Sequence, residues 1–90
     1  MALFVLISDQ EYPKLVSELQ RLFPEDHFKI GVGEWLISAP ATTTAKELSD
    51  SLGISEGTSG SGIVIRSGGY YGRANPEIWE WIKARLERGP

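Results

Sequence analysis

Ninety residues set the scale: one domain, residues 1–90, whose single core buries only a little over ~60% of the surface its unfolded chain exposes. With 41% hydrophobic residues and no long biased tract, the chain reads as folded; the absence of cysteine excludes disulfides, thiol catalysis and cysteine-ligated zinc. The charge of −3 is uneven, with four basic and nine acidic side chains in residues 1–58 and five basic and three acidic in residues 59–90, so nonspecific nucleic-acid binding is disfavoured and an anion is expected to meet the C-terminal third.

Leu3-Phe4-Val5-Leu6-Ile7 is a continuous apolar run of strand formers, which predicts a strand buried on both faces in the middle of a sheet. The run is too short for a membrane span and has no basic residue before it, so the expected address is the cytoplasm, with no membrane partner. From Tyr12 to Phe23 the apolar residues fall at 12, 15, 16, 19, 22 and 23, one face of an α-helix, with Pro13 in its first turn and Pro24 at its end. Phe28 to Gly33 and Trp35 to Ile37 predict two strands around a turn near Gly33. Thr44 and Glu47 have the spacing of a capping box; Ala45, Leu48 and Leu52 share one face of the helix that follows, and Gly53 stops it. Residues 55–62 are a glycine and serine loop, and Ile63 to Arg66 a strand. Asn75-Pro76-Glu77 opens a last helix, expected to run to about Arg88 with Gly89 as its stop.

Strand, helix, strand, strand, helix, strand, helix predicts an α+β domain: a ferredoxin-like βαββαβ unit with a four-stranded antiparallel sheet and an additional C-terminal helix. Two helices cover one sheet face, yet the strands are apolar on both. Either the C-terminal helix folds over the second face or two chains pack there, and a homodimer is the favoured expectation. Phe4, Trp35, Trp79 and Trp81 are the candidate dimer contacts.

Few residues invite chemistry. Gly57 to Gly62 resembles the start of a phosphate-binding loop, but Ile63 stands where lysine is needed and a strand follows in place of a helix. Gly31-Val32-Gly33 lies between strands and reads as a hairpin. Residues 43–55 match the first helix and turn of a helix-turn-helix, but a recognition helix over 55–62 would be built from glycine, serine and one acid, with no base to meet DNA. Asp9, after the first strand, is a candidate metal ligand, with helix capping the expected role. The single histidine, His27, is expected on the surface. Gly68 to Arg73 is the best candidate ligand-binding or anion-binding segment, through Tyr70 or Tyr71, one expected in the core and one free to stack or hydrogen-bond, and through Arg73 before a helix start.

The serine and aspartate closing the first strand (Phe4-Val-Leu-Ile-Ser-Asp9), Glu34-Trp-Leu-Ile37, the threonine-capped helix and the late strand leading to GGYYGRANPEIWEWI resemble the SinR-like relatives of the small CRISPR-associated adaptation endonucleases. The resemblance spans most of the chain in element order and implies a ferredoxin-like dimer. In the CRISPR-associated members the aspartate after the first strand is linked to metal-dependent nuclease activity or to scaffolding in an integrase complex; by position this is Asp9, with Mg or Mn as the metal. Ser8 stands where those nucleases commonly carry an aromatic residue, the first helix is poor in basic residues, and the net charge is negative.

The leading expectation is therefore a homodimeric interaction or accessory domain with no catalytic residue and no cofactor. The alternative is a metal-dependent nuclease using Asp9 at a dimer axis, and the third reading a winged-helix DNA-binding protein.

Overall fold

The computed structural model describes residues 1–87. In chain order the elements are β1 (Ala2–Ile7), α1 (Pro13–Leu22), β2 (His27–Gly31), β3 (Glu34–Ala39), α2 (Ala45–Ser51), β4 (Ile63–Arg66) and α3 (Pro76–Ile82), which continues as a π-helical turn over Lys83–Glu87. The four strands form one antiparallel sheet in the order β2-β3-β1-β4, so the domain is α+β with three α-helices. The expected end of the last helix near Arg88 and Gly89 lies outside the described residues.

Local chemistry sets the boundaries. Pro13 occupies the first turn of α1, where a missing N–H costs nothing. Gly33 turns β2 into β3 with φ +74°, a left-handed backbone that disfavours any side chain, and Gly53 ends α2 with φ +78°. Residues 55–62 form turns and bends with no helix, so the recognition helix that a winged-helix reading requires is not there.

The registers sort side chains by face. Ala2, Phe4 and Leu6 of β1 and Trp35, Ile37 and Ala39 of β3 face α1 and α2, where they meet Leu15, Leu19, Leu48 and Leu52. Phe4 is 0% exposed and Trp35 2%, so both lie inside the chain's own core and present no surface to a second chain, against their expected role as dimer contacts.

Alternate residues make a second, smaller core. Leu3 and Val5 of β1, Leu36 of β3 and Phe28 of β2 pack against Ile78, Trp79, Trp81 and Ile82 of α3, with Leu86 beyond it. Of the two covers expected for this face, the chain supplies its own helix, and Trp79 and Trp81 are turned in against the sheet. The cover is incomplete for a geometric reason: a helix about 10 Å across spans roughly two strands set ~4.8 Å apart. Seated over β1, β3 and β2, α3 leaves the β4 side of the face open, with Ile7, Ile63 and Ile65 exposed.

Candidate functional site

The chain leaving β4 is anchored before it becomes irregular. The Ser67 amide donates to the Leu3 carbonyl at 2.8 Å and its hydroxyl to the Gly69 carbonyl at 2.8 Å. Tyr70 then packs against Trp79, ring centroids 6.3 Å apart and tilted by 32°. Tyr71 is fully exposed. Neither tyrosine is the core residue expected of the pair: Tyr70, though in ring contact with Trp79, is 41% exposed, because the segment runs over the outside of the α3 layer. Arg73 is exposed and forms no ion pair among the described residues.

Between this segment, the sheet and α3 lies a cleft of about 300 Å³. Its floor and sides are Leu3, Val5, Leu36, Ile78, Trp79 and Ile82, and Tyr70, Tyr71 and Arg73 lie along it. The structure thus brings together the three residues singled out in the sequence, but around an apolar hollow rather than around a helix start. The first turn of α3 is occupied by its own cap, since the Asn75 side-chain oxygen accepts the Glu77 amide at 2.9 Å.

Asp9 lies elsewhere, past the end of β1. It does not cap α1: the cap residue is Tyr12, with no side-chain cap bond, and Asp9 instead accepts the Tyr12 hydroxyl at 2.7 Å. Ser8 beside it donates to the Ser61 carbonyl, which ties the end of β1 to the loop entering β4. Among the described residues no three metal-ligating side chains gather, at Asp9 or elsewhere. It borders a shallow hollow with Ile7, Gly62 and Ile63 at the edge of the sheet. The histidine is also not the free surface residue expected: His27 opens β2, is half-buried, and its Nδ1 is hydrogen-bonded to the Phe23 carbonyl.

The chain matches no known family model, no curated protein and no solved structure. The site therefore rests on its own geometry, and two features of that geometry were not singled out in the sequence. The first is the β4 edge. Among the described residues strand β4 pairs only with β1, leaving its other side unpaired, and its residues on the α3 side, Ile63 and Ile65, are 63% and 46% exposed. The second is a polar cleft of about 480 Å³ bordered by Met1, Glu25, Asp26, Ser38 and Arg85. There the Arg85 guanidinium donates to the Glu25 carbonyl, lies 3.2 Å from the Asp26 carboxylate and stacks over Trp81 at 5.3 Å. Those contacts fasten the end of α3 to the start of β2. A signal for the β4 edge was present in the sequence: four residues of strand with branched apolar side chains at both alternate positions, between two glycine-rich segments.

Proposed function

We propose that this chain is a small cytoplasmic interaction domain without catalytic activity, that it works as a homodimer, and that its fold is ferredoxin-like. The fold assignment is supported by the antiparallel order β2-β3-β1-β4 with α1 and α2 on one face, the arrangement of a split βαβ unit. The SinR-like resemblance belongs to the same proposal.

The observation that carries the dimer is the β4 edge. An unpaired strand edge offers a row of backbone donors and acceptors, and soluble proteins usually blunt such edges with charge, proline or a covering element. Here the outward face of β4 holds Ile63 and Ile65, continued by Ile7 across the pair. A two-fold axis through Val64, perpendicular to the sheet, sets Ile63 of one copy opposite Ile65 of the other. Residues that differ by two lie on the same face, so this register joins the two sheets without turning any side chain over. The contact moves from the aromatic residues expected in the sequence to three isoleucines at an edge.

Sedimentation over a wide range of concentration tests the proposal. The native chain is expected to dimerise, and Ile65→Lys to stay monomeric with an unchanged circular dichroism spectrum. A strict monomer at the highest concentration overturns it.

The nuclease reading keeps one specific support: Asp9 borders the hollow that also contains Ile63, beside the proposed dimer edge. Incubation with RNA and DNA in Mg²⁺ or Mn²⁺, with Asp9→Ala as the control, decides it, because only cleavage lost in the variant assigns the reaction to this carboxylate.

A further inference from the structure

We infer that the cleft under residues 67–74 is a binding site for a small monocarboxylate with an apolar body, a medium-length alkyl or aryl acid. The inference stands apart from self-association, since the cleft lies on the α3 side of β1 and β3 and the dimer edge is β4.

The interior selects the body of the ligand. Leu3, Val5 and Leu36 line the sheet side, and Ile78, Trp79 and Ile82 the helix side. The Ser67 hydroxyl that borders it is already committed to the Gly69 carbonyl. Apart from the Trp79 indole N–H, the side chains of the floor and sides carry no polar group to read the edge of a nucleobase or a sugar. At about 300 Å³ the cleft is at the lower end of the roughly 300–1,000 Å³ of small-molecule sites, which suits a single short chain or ring.

The rim selects the charge. Among the described residues Arg73 is the one cation along the cleft, no aspartate or glutamate borders it, and Arg73 has no ion pair. A guanidinium presents a planar fork of N–H donors that matches a carboxylate, whose single charge it balances. A phosphate monoester brings nearly two negative charges and calls for a second cation; the nearest chain neighbour of that kind, Arg66, is on the opposite sheet face, donating to the Thr43 carbonyl and lying over Phe4. An amine would meet the one charge that repels it.

The segment that closes the cleft is built to accept a guest. Tyr70 holds it against Trp79, while a side chain added at Gly68, Gly69 or Gly72 would meet no atom within 4 Å. Tyr71 beside them is fully exposed and has a broad apolar ring to lay on a ligand.

Titration calorimetry and the indole NMR signals of the intact chain test this with octanoate, octylamine and adenosine monophosphate, all below micellar concentrations. Octanoate is expected to bind and to shift the Trp79 indole, with octylamine and the nucleotide at least about tenfold weaker, the scale of one charge-assisted hydrogen-bonded pair. Arg73→Gln, a surface change that leaves the fold intact, is expected to remove most of the preference for octanoate over octylamine. Equal binding of octanoate and octylamine, tighter binding of the nucleotide, shifts confined to Ile7, Ile63 and Ile65, or no octanoate binding at millimolar concentration each overturn the assignment.

Discussion

Ile63 of β4 stands directly opposite Ile7 of β1 on the α3 side of the sheet, and α3 reaches neither: they are 63% and 42% exposed. Cross-strand apolar pairs of this kind stabilise a sheet only modestly when water reaches them. Replacing one should therefore matter little to the single chain and much to an association that buries both. Ile63→Lys is expected to change the stability of the dilute protein by no more than about 0.5 kcal/mol and to weaken self-association strongly. Urea melts at low concentration beside sedimentation at high concentration check both halves, and a variant that unfolds readily while still dimerising sinks the argument.

Ile82 shows the opposite balance. It is 3% exposed, in the small core with Leu3 and Leu36, and it fixes the C-terminal end of α3, where the π-helical turn begins, on the sheet. Ile82→Ala removes buried methyl groups and leaves a hollow that the short helix cannot fill, at a cost of about 2–5 kcal/mol. In a chain of this size that is a large share of the total stability. Thermal unfolding gives the number, and a loss below that range would mean that α3 is held mainly by Arg85 and the tryptophans.

Ser38 yields a prediction of the other sign. It faces Leu3 on the α3 side, is 1% exposed, and its Oγ has no hydrogen-bond partner among the described residues. A buried hydroxyl left unpaired costs free energy that alanine does not. Ser38→Ala is expected to be neutral or to raise the melting temperature. A clear loss of stability would reveal a bonded water at this position, supplied from the polar cleft beside it.

Elements governed by short-range rules were legible in the sequence; placements governed by long-range packing were not. The Thr44 cap, Pro13, Gly33, Gly53 and Asn75-Pro76 act within a few residues, and each does in the structure what its type and spacing predict. The continuous apolar runs of the strands also showed that both sheet faces need cover. What it could not show is how far α3 extends across the second face, because that depends on where the loop 67–74 delivers the helix. Trp79 and Trp81 make their ring contacts with different partners: Trp79 meets Tyr70, and Trp81 meets Phe28 at 5.9 Å. Asp9 was misread for a similar reason. An aspartate before a helix is usually a cap, but here Tyr12 folds back to take it, and the close approach of Gly60 to the Tyr12 ring, a contact between residues far apart in sequence, holds that ring in place. The candidate site was legible as a cluster, Tyr70, Tyr71 and Arg73, and illegible as a cleft, since Leu3, Val5 and Leu36 reach it only through the sheet.

The capping box makes stability depend on pH in a direction that can be worked out. Thr44 Oγ1 accepts the Glu47 amide at 3.0 Å, and the Thr44 amide donates to Glu47 Oε1 at 2.9 Å. The Thr44 backbone donor, and after it the threonine side chain, hold the Glu47 carboxyl below its ordinary value of 4.5. Asp50 is likewise held below 3.8, chiefly by the Lys46 ammonium 2.8 Å away, and Lys46 is raised above 10.5 by the same pair. A carboxyl with a lowered folded value binds its proton less tightly in the native state than in the unfolded one. Its contribution is complete above the ordinary value and disappears as pH falls through the lowered one; for the raised lysine it is complete below 10.5 and disappears as pH rises further. These groups therefore leave stability level through the neutral range and lower it at both ends. Thr44→Ala removes the hydroxyl cap, costs about 1 kcal/mol at neutral pH, and takes away only the smaller share of the acid decline that belongs to Glu47, because the backbone amide at position 44 still donates to its carboxylate. Thr44→Ser keeps an acceptor and should keep both. Urea midpoints measured from neutral pH down past the glutamate range compare the three proteins, and an acid decline in Thr44→Ala as steep as in the native chain would show that the threonine hydroxyl takes no part in holding the Glu47 carboxyl down.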